Sequence, residues 1–277
     1  MPAAKPLAID WYDTPRWYDI VFAPDTRREA DFLEAMSREH GPAPRKGSLR
    51  VLEPACGSGR LVAEMAARGH AVTGFDLNAA MLAHARSRLA RRGLSARVVR
   101  GEMASFRLRG RFELAHCLVS SFKYLLDEES ARSHLACVAR HLVPGGLYVL
   151  GFHLTDYDHD GVTQERWVES SRGVRVTCTT RVWPADRRAR LEDVRTRLFV
   201  ERAGGPLRTE TRWRFRTYDA RQVRRLFAAV PELEWIALHD FHYDAGRPRR
   251  IADDGLDCVF VLRRRGARRG PVGAFSP

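Results

Sequence analysis

The stretch Val51-Leu52-Glu53-Pro54-Ala55-Cys56-Gly57-Ser58-Gly59-Arg60 decides the reading of this 277-residue chain. Leu49 to Leu52 has the composition of a short buried strand, Glu53 closes it with a charge, and a helical pattern runs from Arg60 to Arg68. Between the two, Gly57 and Gly59 permit positive φ and let a ligand approach the backbone closely. The helix that follows offers unpaired N–H groups to an anionic group. One Gly-x-Gly turn is also compatible with a plain tight turn, so its neighbourhood carries the weight.

Outward from this turn, strand and helix alternate. Ala71–Phe75 reads as a second strand, Met81–Arg92 as a helix stopped at Gly93, and Ala96–Val99 as a third strand. Phe112–Leu118 is a fourth strand and Ser130–His141 a helix; a turn at Pro144-Gly145-Gly146 leads into a fifth strand, Leu147–Phe152. Units of this length need helical crossovers, hence a parallel sheet with helices on both faces. Such sheets bind ligands at the carboxyl ends of their strands. The second strand ends in Gly74-Phe75-Asp76, and Asp76 stands 23 residues after Glu53. A carboxylate there can accept both hydrogen bonds of a ribose diol. Glu102-Met103 follows the third strand. There a carboxylate can accept from an adenine amino group and a thioether can lie against the ring.

Taken together, these segments resemble the class I S-adenosylmethionine-dependent methyltransferases over about residues 49–152. Glu53–Gly59 is similar to the first motif of that family and differs from a dinucleotide G-x-G-x-x-G, because Val62 stands at the third glycine. Asp76 matches the ribose-binding acid, and Glu102 stands where the family more often has Asp. His116-Cys117-Leu118 falls where the family's backbone meets the methionine portion, and Leu142–Leu147 resembles its approach to strand five. The resemblance implies S-adenosylmethionine as cofactor, held by Glu53, Ala55, Cys56, Gly57, Gly59, Asp76, Leu77, Met81, Glu102, Met103, Cys117 and Leu118. It also implies an α/β, Rossmann-like, seven-stranded, mostly parallel sheet whose last strand is antiparallel. The activity it implies is methyl transfer to N or O of a small-molecule acceptor, as in bacterial small-molecule enzymes. Such transfer is an in-line displacement that needs positioning and exclusion of water; a base is needed only when the acceptor must lose a proton.

After strand five the rhythm changes. Val174–Trp183, Leu191–Glu201 and Leu207–Thr217 are rich in Val, Thr, Phe and Trp, with turns at Pro184–Arg188 and Gly204-Gly205-Pro206. They read as three or four antiparallel strands. Helical spacing returns at Ala220–Val230, and Leu233–His239 and Cys258–Leu262 read as closing strands. The expected organisation is an N-terminal helical and aromatic cap (1–48), a cofactor domain (49–163 and 218–265), an antiparallel β insertion (164–217) and a flexible tail (266–277). His153 at the end of strand five is the first candidate for a base, with Tyr157 beside it in sequence. Trp167, His242 and Tyr243 complete the expected acceptor side. The early aromatics Trp11, Tyr12, Trp17, Tyr18 and Phe22 suit a cover over the cofactor or an anchor for the first helix. His153, Asp156, Asp158, His159 and Asp160 lack fixed helical spacing and read as a solvated loop, so no metal is expected.

Composition bounds the alternatives. The chain is 44% hydrophobic and 29% charged, as a globular protein is, and disorder or a disulfide scaffold is excluded. Five cysteines without a C-x-x-C pair read as buried free thiols. No apolar run approaches the roughly 18 residues that span a bilayer. No signal-type core precedes Trp11, so a cytoplasmic protein, monomer or homodimer, is expected. The net charge of +13 invites a nucleic-acid reading, but 44 of the 47 basic residues are arginine and scattered. That leaves an RNA methyltransferase as an alternative, beside a cofactor-binding protein without turnover and a nicotinamide-dependent oxidoreductase, the last disfavoured by Val62. Ser120-Ser121-Phe122-Lys123 stands where base-amino methyltransferases resemble one another in an Asn/Asp-Pro-Pro-aromatic turn.

Overall fold

A computed structural model describes residues 6–44, 47–251 and 255–266. The chain opens with strand β1 (Leu7–Ala8) and helices α1 (Pro15–Phe22) and α2 (Thr26–His40). Then come β2 (Arg50–Pro54), α3 (Arg60–Ala67), β3 (Ala71–Asp76), α4 (Ala79–Arg91), β4 (Arg97–Arg100), β5 (Phe112–Cys117), α5 (Glu128–His141) and β6 (Leu142–His153). Four strands follow, β7 (Thr163–Ser171), β8 (Val174–Val182), β9 (Leu191–Glu201) and β10 (Leu207–Arg216). Helix α6 (Ala220–Ala228) and strands β11 (Leu233–His239) and β12 (Asp257–Arg264) finish the chain as described.

The main sheet has seven strands in the order β11-β12-β6-β5-β2-β3-β4. The pairs β2–β3, β2–β5, β3–β4 and β5–β6 are parallel, while β12 runs antiparallel to both β6 and β11. This is the expected Rossmann-like sheet with its last strand reversed. Its central strands are buried on both faces, which is why β5 reads Phe-Glu-Leu-Ala-His-Cys with every position inside. One apolar cluster lies under α5 and α6, and the opposite face carries a second under α2, α3 and α4. Helix ends are capped as their sequences suggest. Asn78 accepts from the Met81 N–H, Asp127 from the Ser130 N–H, and Asp219 forms a capping box with Gln222.

The insertion forms a second sheet, β1-β10-β9-β8-β7, antiparallel except where β1 joins β10. Its alternation is strict. Val174, Val176, Cys178, Leu198 and Val200 face inward onto Trp11 and Ile20, while arginines such as Arg175, Arg181, Arg195 and Arg197 occupy the intervening positions.

Three expectations need correction. The segment 1–48 is not one cap. Ala30, Phe32, Leu33 and Met36 of α2 join the main-sheet cluster with Val51 and Leu61, whereas Trp11 and Ile20 belong to the insertion's cluster. Pro144-Gly145-Gly146 does not break the chain before strand five. β6 runs through it from Leu142, with Gly145 at φ +78° and a register shift against Phe112/Leu114 absorbing the irregularity. Strand β1 was not foreseen, since two residues carry no periodicity. Of the expected tail, residues 267–277 lie outside the described residues.

Candidate active site

The first turn is built by backbone conformation. Ala55, Gly57 and Gly59 all sit at positive φ (53°, 52° and 70°), which curls the chain into a concave loop before α3. A Cβ on Gly59 would stand 2.7 Å from the Ala85 Cβ, so this glycine is required by both conformation and space. The Cys56 N–H donates to the Phe75 carbonyl and the Gly57 N–H to Asp76 Oδ2 at 2.8 Å, which ties the turn after β2 to the end of β3. The Asn78 N–H donates to Asp76 Oδ1 at 2.8 Å. Burial pushes the Asp76 carboxyl up, against these backbone hydrogen bonds. Each of its oxygens keeps acceptor capacity for a second donor.

Glu53 is buried, and its Oε2 has no hydrogen-bond partner. Burial pushes its carboxyl up to about 8, opposed by Arg60 and reinforced by Glu29 and Asp76. On β5, His116 places Nε2 4.0 Å from that oxygen, and neither of its ring nitrogens is partnered. Burial, with Arg60, pushes His116 down to about 3, so it is neutral. Arg60 itself is clamped by the Glu29 carboxylate.

The parallel sheet lines up the remaining predicted groups at the ends of adjacent strands. Leu77 beside Asp76 is 55% exposed, so its apolar surface is open at this edge. Glu102 follows β4 and is exposed; Met103 is partly buried and its carbonyl meets His134 Nδ1 at 3.0 Å. Cys56, Cys117 and Leu118 are all buried. The Met81 side chain is completely buried in the core, and its backbone N–H is taken by the Asn78 cap. Beyond Leu118, Val119 and Ser120 both take positive φ (57° and 62°), a strained turn of the kind found at binding sites.

Beside this edge, between the two sheets, lies a cavity of about 740 Å³. Trp11 stacks on Trp213 with ring centres 5.1 Å apart, and the Tyr12 and Tyr124 hydroxyls meet at 2.7 Å. The aromatic N-terminal segment therefore walls the cavity, and Asp13 fastens it to the carboxyl edge of the sheet by accepting from Asn78 Nδ2 at 2.9 Å. His153 lines the cavity; its Nδ1 lies 2.6 Å from Asp257 Oδ1 and Phe241 stands edge-on at 4.9 Å. Nδ1 as donor to the carboxylate leaves Nε2 as the acceptor end. Trp167 and Tyr243 also line the cavity, whereas His242 is exposed on the neighbouring turn.

Tyr157 is placed differently from its sequence expectation. Its hydroxyl bonds Thr217 Oγ1 (2.7 Å) and Gln222 Oε1 (3.1 Å), and it is absent from the cavity wall. Its hydroxyl is spent on pinning the loop after β6 to the start of α6. The sequence reading missed Arg60, Ser120, Lys123, Glu165, Glu192 and Trp213. Only period-two alternation in the insertion carried a signal for Glu165, Glu192 and Trp213, because they share the inward face.

A family model described as a methyltransferase domain matches residues 51–146. Residues 51–146 are thus similar to a methyltransferase domain. A Streptomyces fradiae dTDP-3-amino-3,6-dideoxy-alpha-D-glucopyranose N,N-dimethyltransferase is 35% identical over 136 residues, 48% of this chain and 50% of that protein. The matched stretch thus spans about half the length of the curated relatives. Among solved structures, an S-adenosylmethionine-dependent methyltransferase from Clostridium acetobutylicum superposes with TM-score 0.73 at 17% identity, covering 92% of this chain and 99% of that one. Streptomyces venezuelae DesVI gives TM-score 0.71 at 22% identity, covering 93% and 99%. These structural likenesses extend beyond the methyltransferase domain to the inserted sheet, since they cover almost the whole chain.

Proposed function

We propose that the chain transfers a methyl group from S-adenosylmethionine to a nitrogen of a small-molecule acceptor. The observation that carries the reading is the Gly57–Asp76 linkage at the carboxyl edge of the sheet, opening beside an aromatic cavity. The residues fit the cofactor. Asp76 has acceptor capacity for the ribose hydroxyls, Leu77 offers apolar surface to the base, and the orphaned Glu53 oxygen suits the amino group. The Ala55–Gly59 loop and the backbone at Cys117 and Leu118 would hold the methionine portion. Glu102 and Met103 stand at the adenine side.

When bound, the cofactor supplies a methyl group already activated by its sulfonium. The chain contributes position and dryness: Trp11, Tyr12 and Tyr124 line the cavity, and His153, whose Nδ1 is held by Asp257, has Nε2 left to take a proton from the acceptor nitrogen. The test is titration calorimetry with S-adenosylhomocysteine on the parent and on Asp76→Ala. Losing hydrogen bonds to a charged acceptor costs about 1.5–3 kcal/mol, roughly tenfold to a hundredfold in affinity. Unchanged affinity in a folded variant rejects the assignment. His153→Ala, by contrast, lowers turnover of a validated amine and leaves cofactor affinity intact.

A further inference from the structure

Resting on that reading, we propose that the acceptor is a cationic amine with an apolar body and no phosphate, and that Glu165, Trp167 and Glu169 on β7 hold its charge. Strand pairing puts these three residues on one face, since they stand opposite Thr180, Cys178 and Val176, of which the last two are buried in the cluster facing α1. All three line the cavity between the sheets. Trp167 presents 40% of its surface, with one carboxylate two residues before it and one two residues after. Carboxylates flanking an indole face are the chemistry that recognises an ammonium.

The charge balance of the wall decides the sign of the ligand. Seven carboxylates line the cavity against two permanent cations, Arg60 and Lys123. Both cations are already spent: Arg60 is clamped by Glu29, and Lys123 donates to Glu192 at 2.7 Å. Asp257 is likewise committed to His153. Glu165 and Glu169 have no ion-pair or hydrogen-bond partner among the described residues. A nucleoside diphosphate would bring two negative charges into a wall with no free cation, so the nucleotide-linked sugars named for the curated relatives do not suit this cavity. A second, independent feature asks for a polar ligand group: Ser120 lines the cavity, is only 5% exposed, and its hydroxyl has no partner.

The proposal concerns recognition and adds no chemical step. It is tested by calorimetry on the full chain saturated with S-adenosylhomocysteine, using 4-phenylbutylamine, the uncharged 4-phenylbutanol, and thymidine diphosphate as probes. The amine binds about tenfold more tightly than the alcohol, and added salt weakens it. Glu165→Gln with Glu169→Gln removes that preference and leaves affinity for the alcohol and for S-adenosylhomocysteine unchanged. The two positions lie on an exposed edge strand, so retained S-adenosylhomocysteine affinity certifies the fold of the variant. Tighter binding of thymidine diphosphate than of the amine overturns the proposal, as does absent amine binding or an amine preference that survives both substitutions. Failure of the parent to bind S-adenosylhomocysteine instead overturns the reading on which the proposal rests.

Discussion

Glu53 shows how much one buried atom reveals. It ends a strand, is enclosed by the first turn and α3, and holds an oxygen that no residue satisfies. Burial disfavours the charged carboxylate and outweighs Arg60 and the backbone hydrogen bond at Val62, hence its rise to about 8. Because the folded value lies above the unfolded one, its contribution to stability is present at acid pH, below the unfolded value, and is lost as pH rises toward 8. Glu53→Gln therefore melts higher than the parent at pH 9, and the gap closes by pH 5. Thermal unfolding of the ligand-free protein at both values is the measurement, and a gap independent of pH contradicts the role of burial.

The contact between α3 and β3 explains why the first motif lacks a third glycine. In a dinucleotide fold, that glycine lets helix and strand approach closely. Here the helix keeps Val62, and the strand supplies the space: a Cβ on Gly74 would lie 2.8 Å from Val62 Cγ2 and 2.9 Å from the Cys56 Cβ. Gly74→Ala is thus overpacked and loses about 1–3 kcal/mol, read as a lower denaturation midpoint. Val62→Ala in the same chain restores part of the loss, because it removes one of the two clashes. If the double variant is as unstable as the sum of the two single changes, the contact is not the cause.

The two sheets are held to each other by charge as well as by aromatic packing. Lys123, on the turn after β5, is almost fully buried and pairs with Glu192 on β9 while lying over the Phe215 ring. Glu128 at the start of α5 accepts from Arg190 and from Arg216, both belonging to the inserted region. Removing one partner of a buried pair strands the other, at a cost of about 3–5 kcal/mol, whereas replacing both by apolar groups is nearly neutral. Lys123→Met alone therefore lowers the melting temperature by about 6–20 °C on the usual scale for domains of this size. Lys123→Met with Glu192→Leu recovers most of it. Calorimetric melting of the three proteins checks this; a double variant no more stable than the single one removes the pair from the account.

The reversed last strand was legible only through the family resemblance, whereas the parallel core, the inserted antiparallel strands and the ordered set Glu53, Gly57, Gly59, Asp76 and Glu102 along one edge were legible in the residues. These features are local: glycine conformation, strand ends and periodicity of two or 3.6 residues are written in neighbouring positions. The tertiary structure decided what lies between the sheets. Tyr157 and Trp213 look alike in a sequence, as aromatics near polar residues. Yet Tyr157 spends its hydroxyl on Thr217 and Gln222, and Trp213 stacks on Trp11, about 200 positions away, to wall the cavity. The division of residues 1–48 between two bodies has the same origin, since α2 follows its apolar stripe onto the main sheet and β1 pairs with β10. Which partners a buried polar or aromatic group finds depends on strands brought together from remote parts of the chain, and no spacing in the sequence encodes that distance.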